Sequence, residues 1–190
     1  MADYSLYNTR INQYGYTKRE RIINKEKEYL YRKLSDHPSA QIVSMGDIER
    51  ILVIVSTENS YVKKIISLPE ESFDAGEVVE YKSENWLITE SDLDDQIQTK
   101  GKMTLCPNTL KFQNSSGTIL SYPYFVENSL PSLSENKTIV TSDTTRKIVL
   151  SLDDETKQFF IDKRFMGDVF NNTPQVWKII DLDSSSKRGL

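Results

Sequence analysis

The chain has 190 residues, enough for one substantial core or a core with an appendage. Its 24 Lys and Arg against 28 Asp and Glu give a formal charge of −4 and a pI near 5.2, so the overall field does not attract DNA or an anionic membrane. A single cysteine, Cys106, and a single histidine, His37, exclude an intrachain disulfide framework and leave Cys/His zinc sites without ligands.

No stretch approaches the roughly 20 apolar residues of a helical membrane span. The opening MADYSLYNTR lacks the apolar centre of a signal peptide, so the expectation is a protein made in a cytoplasm. Tyr4, Tyr7, Tyr14, Tyr16, Tyr29 and Tyr31 crowd the start of the chain. Tyrosine suits a surface that is apolar on one side and wet on the other, which fits an interface with another subunit or packing on the body of the same one. Composition leaves both readings open.

Residues 1 to 16 show no period and contain Asn8, Asn12 and Gly15, so they read as an extended arm. Thr17-Lys18-Arg19-Glu20 has the form of a capping box, in which hydroxyl and carboxylate satisfy free amides at a helix start. The helix is expected to run to about Leu34, with Ile23, Leu30 and Leu34 on one face beside Ile22, Glu26 and Tyr29. Positive charge concentrates here, in Arg10, Lys18, Arg19, Arg21, Lys25, Lys27, Arg32 and Lys33, interleaved with Glu20, Glu26 and Glu28. Ser35-Asp36-His37-Pro38 ends the helix, because the residue before proline leaves the helical region; His37 then reads as a turn residue.

From Gln41 the texture changes to strands. Gln41 to Met45 is followed by Ile48 to Ser56, whose ILVIV run suits a buried strand, and by Tyr61 to Leu68. FDAGEVVEYKSENWLITE reads as a hairpin of Glu77 to Lys82 and Trp86 to Glu90 about the corner Ser83-Glu84-Asn85, with Gly76 placed for a sharp entry. Ser91 to Lys100 reads as an acidic loop; Asp92, Asp94 and Asp95 lack the glycine and terminal glutamate of an EF-hand. Lys102 to Pro107 and Thr109 to Gln113 are short strands, with Cys106 as a small core residue. Asn114-Ser115-Ser116-Gly117 is a hairpin corner leading to Thr118 to Tyr122.

Phe125 to Lys137 reads as a long irregular segment, and such a loop inside a compact domain often has a role. Thr138 to Thr141 and Thr144 to Leu152 follow as strands. Beyond the polar corner at Asp153-Asp154, Lys157 to Phe165 alternates at period 2 and is expected to pair back. Met166 to Thr173 is a loop, and Gln175 to Leu182 a last strand around Trp177. The total is a mainly β fold, a barrel or sandwich of about ten strands with an N-terminal extended arm and one α-helix. Its expected parts are an arm and helix at 1–38, a β-barrel domain at 39–183 and a tail at 184–190, with Gly76, Trp86, Phe160 and Trp177 in the core.

The sequence holds no GxGxxG, GxxxxGK[ST] or GxSxG, and His37, in a turn, is the only histidine a Ser/His pair could use. Asp94-Asp95 and Asp153-Asp154 sit in polar turns, where carboxylates keep ordinary acidity. The expectation is a protein that is no enzyme and needs no cofactor or metal. A nucleic-acid-binding β-barrel is the alternative; it would need aromatic and basic residues together on a strand face, where these strands carry mixed charge.

The order of features resembles the head-closure, or neck, proteins of long-tailed bacteriophages. The likeness runs from Asn8 to Asp181: a basic arm and helix, ILVIV, FDAGEVVEYKSENWLITE, CPNTLKFQNSSGTILSYP, KQFFIDKRF and VWKII. It implies a structural virion protein that forms a ring between portal or adaptor proteins and the tail. Such a ring closes the head and retains DNA, which it touches without sequence specificity. A tail-completion or adaptor role in the same connector is not separated from it. The resemblance implies assembly in the bacterial host cytoplasm, no membrane partner, and inter-subunit or connector contacts through Tyr4, Tyr7, Arg10, Tyr14, Tyr16, Arg19 and Arg21. It also implies a channel loop, for which Phe125, Asn128, Leu130 and Pro131 are the candidates.

Overall fold

A computed structural model describes residues 5–92, 97–127, 146–170, 173–183 and 189. The protein is mainly β, as its patterning predicts. Two helices, α1 (Ser5–Ile11) and α2 (Lys18–Ser35), precede β1 (Ala40–Met45), β2 (Ile48–Ser56), β3 (Val62–Ser67), β4 (Val78–Tyr81), β5 (Glu84–Asp92) and β6 (Lys100–Leu105). These six strands form a closed barrel in the order β1-β2-β3-β6-β5-β4. Then come β7 (Asn108–Gln113), β8 (Ile119–Glu127), β9 (Lys147–Leu150), a 3₁₀ turn at Thr156–Gln158, β10 (Arg164–Phe170) and β11 (Thr173–Lys178). They make a five-stranded sheet in the order β11-β10-β7-β8-β9. By backbone proximity the chain divides into two compact units, Met1–Phe73 with Glu90–Lys102 and Asp74–Thr89 with Met103–Leu190.

In the first unit the ILVIV run lies on β2, antiparallel to both β1 and β3. A strand apolar at successive positions must be covered on both faces, and Leu52, Val53 and Ile54 are all buried. Val53 packs with Leu34 of α2 and with Leu68, flanked by Leu30, Ala40, Ile51 and Ile66. The apolar stripe of α2 therefore covers one face of β2, and each such side chain removed from water contributes about 1.5–3 kcal/mol. Ser67 is buried too, and its polarity is matched. Its N–H donates to the Thr99 carbonyl, its hydroxyl accepts the Thr99 N–H, both at 2.9 Å, and the same hydroxyl donates to the Glu71 carbonyl.

In the second unit the β4–β5 hairpin pairs Val79 with Trp86 and Tyr81 with Glu84. The corner is thus Lys82-Ser83, two residues at φ +54° and +61°, and not the three-residue Ser83-Glu84-Asn85 expected. Two positive φ values in a two-residue connection suit the right-handed twist of the paired strands, which is why β5 starts at Glu84. Trp86, Leu87 and Ile88 are buried, Leu87 with Cys106 and Val149. In the five-stranded sheet Leu110, Phe112 and Tyr124 form a second core, packed by Leu120, Tyr122, Phe159 and Phe165 among others. The β7–β8 corner forms as predicted, the Asn114 side-chain oxygen accepting from the N–H groups of Ser116 and Thr118.

Several local expectations are corrected. Within the supposed extended arm Ser5–Ile11 is helical, over too few residues to display a period. Of the expected strand Lys157 to Phe165, only Arg164 and Phe165 are strand. Asp153 accepts N–H bonds from Glu155 and Thr156 and starts a 3₁₀ turn, and Asp162 at φ +76° bends the chain before β10 begins at Arg164. The supposed loop from Met166 holds strand to Phe170, paired with β11 through an irregularity between Met166 and Val169. Trp177 does lie in the last strand, but that strand ends at Lys178. Phe125 to Glu127 belongs to β8, held by β9 through the pair Phe125–Val149. β5 reaches Asp92 and β6 starts at Lys100, which shortens the acidic loop. Asp94, Asp95 and the expected strand Thr138 to Thr141 lie outside the described residues.

Candidate interaction surface

The N-terminal helical pair displays exposed aromatic and aliphatic side chains, among them Tyr7, Ile11, Ile22, Tyr29 and Tyr31, on a basic background. Its geometry begins with the capping box. Thr17 Oγ1 accepts the Glu20 N–H at 3.1 Å, and the Glu20 carboxylate accepts the N–H groups of Tyr16 and Thr17 at 2.8 and 3.1 Å. Arg21 lies back along this start, its guanidinium donating to the carbonyls of Thr17 and Tyr16 at 3.4 Å. Gly15, at φ +124°, passes so close that a Cβ there would meet Glu20 Cβ at 2.6 Å.

These bonds separate the tyrosines. Tyr14 is half-buried, and its carbonyl accepts a 2.7 Å bond from Asn24 Nδ2. Lys25 Nζ stands 5.4 Å from the centre of the Tyr14 ring, and a hydrogen bond to Glu28 raises the pKa of its phenol. Tyr14 thus packs on its own α2. Tyr16, two residues on, is 81% exposed; Tyr7 and Arg10 on α1 and Arg19 on α2 are exposed as well. Tyr4 lies outside the described residues.

Sequence reasoning placed Ile22 and Tyr29 beside the apolar stripe of α2, and the structure leaves both exposed, Ile22 at 59%. Seven residues apart, they share a helix face with Lys18 and Lys33, whose Nζ stands 5.7 Å from the centre of the Tyr29 ring. Lys18, Arg19, Ile22 and Ile23 line an open groove of about 530 Å³. Tyr31 and Ile11 add to the exposed set. The tyrosine crowding was the signal for this surface; what it could not supply was which rings stay outside.

Of the channel-loop candidates, Phe125 is half-buried on β8 beside the Leu87–Cys106–Val149 cluster, and Asn128, Leu130 and Pro131 lie outside the described residues. Of the core candidates, Gly76 and Trp86 are buried, and Trp177 is half-buried with the Arg146 guanidinium 5.2 Å from its ring centre. Phe160 is exposed, because its segment forms a turn where a strand was expected. Cys106 is buried among apolar side chains, which pushes its thiol up to about 12. His37 is exposed, its Nδ1 accepting the Ser39 N–H at 3.0 Å as a turn residue would. Among the described residues no three His, Cys, Asp or Glu side chains converge as a metal site.

No curated protein and no solved structure matches the chain. Residues 108–190, less than half of it, match the family described as the YomX C-terminal domain, which derives from a Bacillus prophage, SPBc2. Over the stretch that builds the five-stranded sheet, the chain is therefore similar to a phage-derived family, and this suggests a phage protein.

Proposed function

We propose that the protein is a structural component of the virion neck, assembled in the host cytoplasm into a ring between the portal or adaptor proteins and the tail, where it closes the head and retains DNA. The observation that carries the phage setting is the similarity of residues 108–190 to a phage-derived family. The neck role rests on the order of features along the chain and is supported by the exposed Tyr7, Tyr16, Ile22 and Tyr29 on a basic helical pair. Aromatic anchors flanked by cations are what a subunit needs to bind copies of itself and the neighbouring connector proteins. In this reading the protein works through its surfaces, without catalysis or a cofactor, and meets packaged DNA non-specifically.

The test is to remove the protein from its phage. Filled heads that lose their DNA and stay separate from tails are the expected outcome, with the protein found by mass spectrometry in intact virions. Heads that keep their DNA but accept no tails would assign it to tail completion instead. Virions assembled and filled without it would overturn the reading. Deleting residues 128–136 is expected to leave rings intact and let DNA escape.

A further inference from the structure

At Gly189 the chain returns to a turn far from it in sequence. The Gly189 carbonyl accepts the Leu152 N–H at 3.0 Å. A Cβ added at Gly76 would fall onto that same carbonyl, and one added at Gly189 would fall onto the carbonyl of Ala75. Both glycines have positive φ, +95° and +77°, a region that side chains disfavour. Backbone therefore lies directly on backbone, and each position admits only glycine. The seat is rigid: Gly76 is buried, its N–H donates to the Ile88 carbonyl at 2.8 Å, and the Glu77 carbonyl accepts the Ile88 N–H at 2.9 Å.

Leu152 stands two residues beyond β9, which is an outer strand of the five-stranded sheet. Outer strands present backbone groups that another chain can pair with, and proteins commonly cover them. We propose that Gly189 is a strap: it fastens on Ala75-Gly76, closes the Leu152 N–H at the end of β9, and so guards that edge against strand pairing with a second copy. The strap joins the family-matched residues to a turn outside the matched stretch.

Hydrogen exchange on the full chain, on Gly189→Val and on a chain ending at Arg188 tests this. In both variants the Leu152 amide is expected to exchange roughly tenfold faster, the scale of one lost hydrogen bond with its local opening. Leu110 and Phe112 should keep their protection, and sedimentation should show more self-association than the full chain. An unchanged Leu152 amide in both variants overturns the strap. Faster exchange with no added self-association overturns the guarding of the edge. The shortened chain introduces no side chain, so it decides the matter if the valine variant fails to fold.

Discussion

Trp86 and Phe160 are both bulky aromatics in segments of alternating pattern, yet one is 2% and the other 61% exposed. Trp86 sits on β5, between β4 and β6 in a closed barrel, with Tyr81 edge-on to its ring at 6.3 Å between centroids. Phe160 follows a 3₁₀ turn that Asp153 organises through bonds from Glu155, Thr156 and Tyr122. Its ring is one of three around Lys163 Nζ, 5.9 Å away, with Phe112 and Phe159 at 4.8 and 5.0 Å. Alternation becomes a strand where neighbours stand ready on both sides. Where a short polar side chain can cap the backbone first, the local bond wins.

The contrast can be broken by substitution. Trp86→Ala is expected to cost about 3–5 kcal/mol through the cavity it leaves, read as a lower denaturant midpoint; a cost under about 1 kcal/mol would mean that the ring is not held in a packed core. Asp153→Ala removes the organiser of the turn and should cost about 1–2 kcal/mol, with faster amide exchange at Glu155 and Thr156. Lys163→Ala strips the cation from three rings and should cost about 0.5–2 kcal/mol, again by denaturant midpoint. Phe160→Ser is expected to stay within about 0.5 kcal/mol of the parent; a larger loss would show that the exposed ring carries packing that its exposure conceals.

The Asp153 turn also makes stability depend on pH. Burial opposes its ionised form, but hydrogen bonds from Tyr122, Thr156 and Glu155 outweigh burial and hold it below the ordinary aspartate value of 3.8. Asp162 is likewise held down by Lys178, 2.8 Å away. A carboxylate more acidic in the folded state stabilises above its unfolded value, and that contribution is lost as pH falls through the folded one. Thermal unfolding should therefore shift to lower temperature below about pH 4. The acid-induced part of the shift should shrink in Asp153→Ala, and an unaltered acid response would remove this account.

Much of the architecture was legible where a local rule and its tertiary outcome agree. The Thr17–Glu20 capping box, the β2 strand Ile48–Ser56 and the Asn114 corner form as read, since each depends on groups a few residues apart. The hairpin was legible but its corner was not: Lys82-Ser83 adopt positive φ without a glycine to announce it. In the interaction surface the basic, tyrosine-rich composition was visible, while the opposite fates of Tyr14 and Tyr16 depend on how the chain folds back at Gly15. Ile22 and Tyr29 looked like part of the apolar stripe because helix periodicity resolves faces only to about a quarter turn.

By itself the sequence determined a strand-rich chain with a capped helix and a basic, aromatic start, because periodicity, capping and charge act over a few residues. Only the tertiary structure decided that six strands close into a barrel, that Phe160 is left outside, and that Gly189 meets Gly76. Those outcomes depend on which backbone and side-chain groups reach each other across long stretches of chain, and no local pattern encodes that competition.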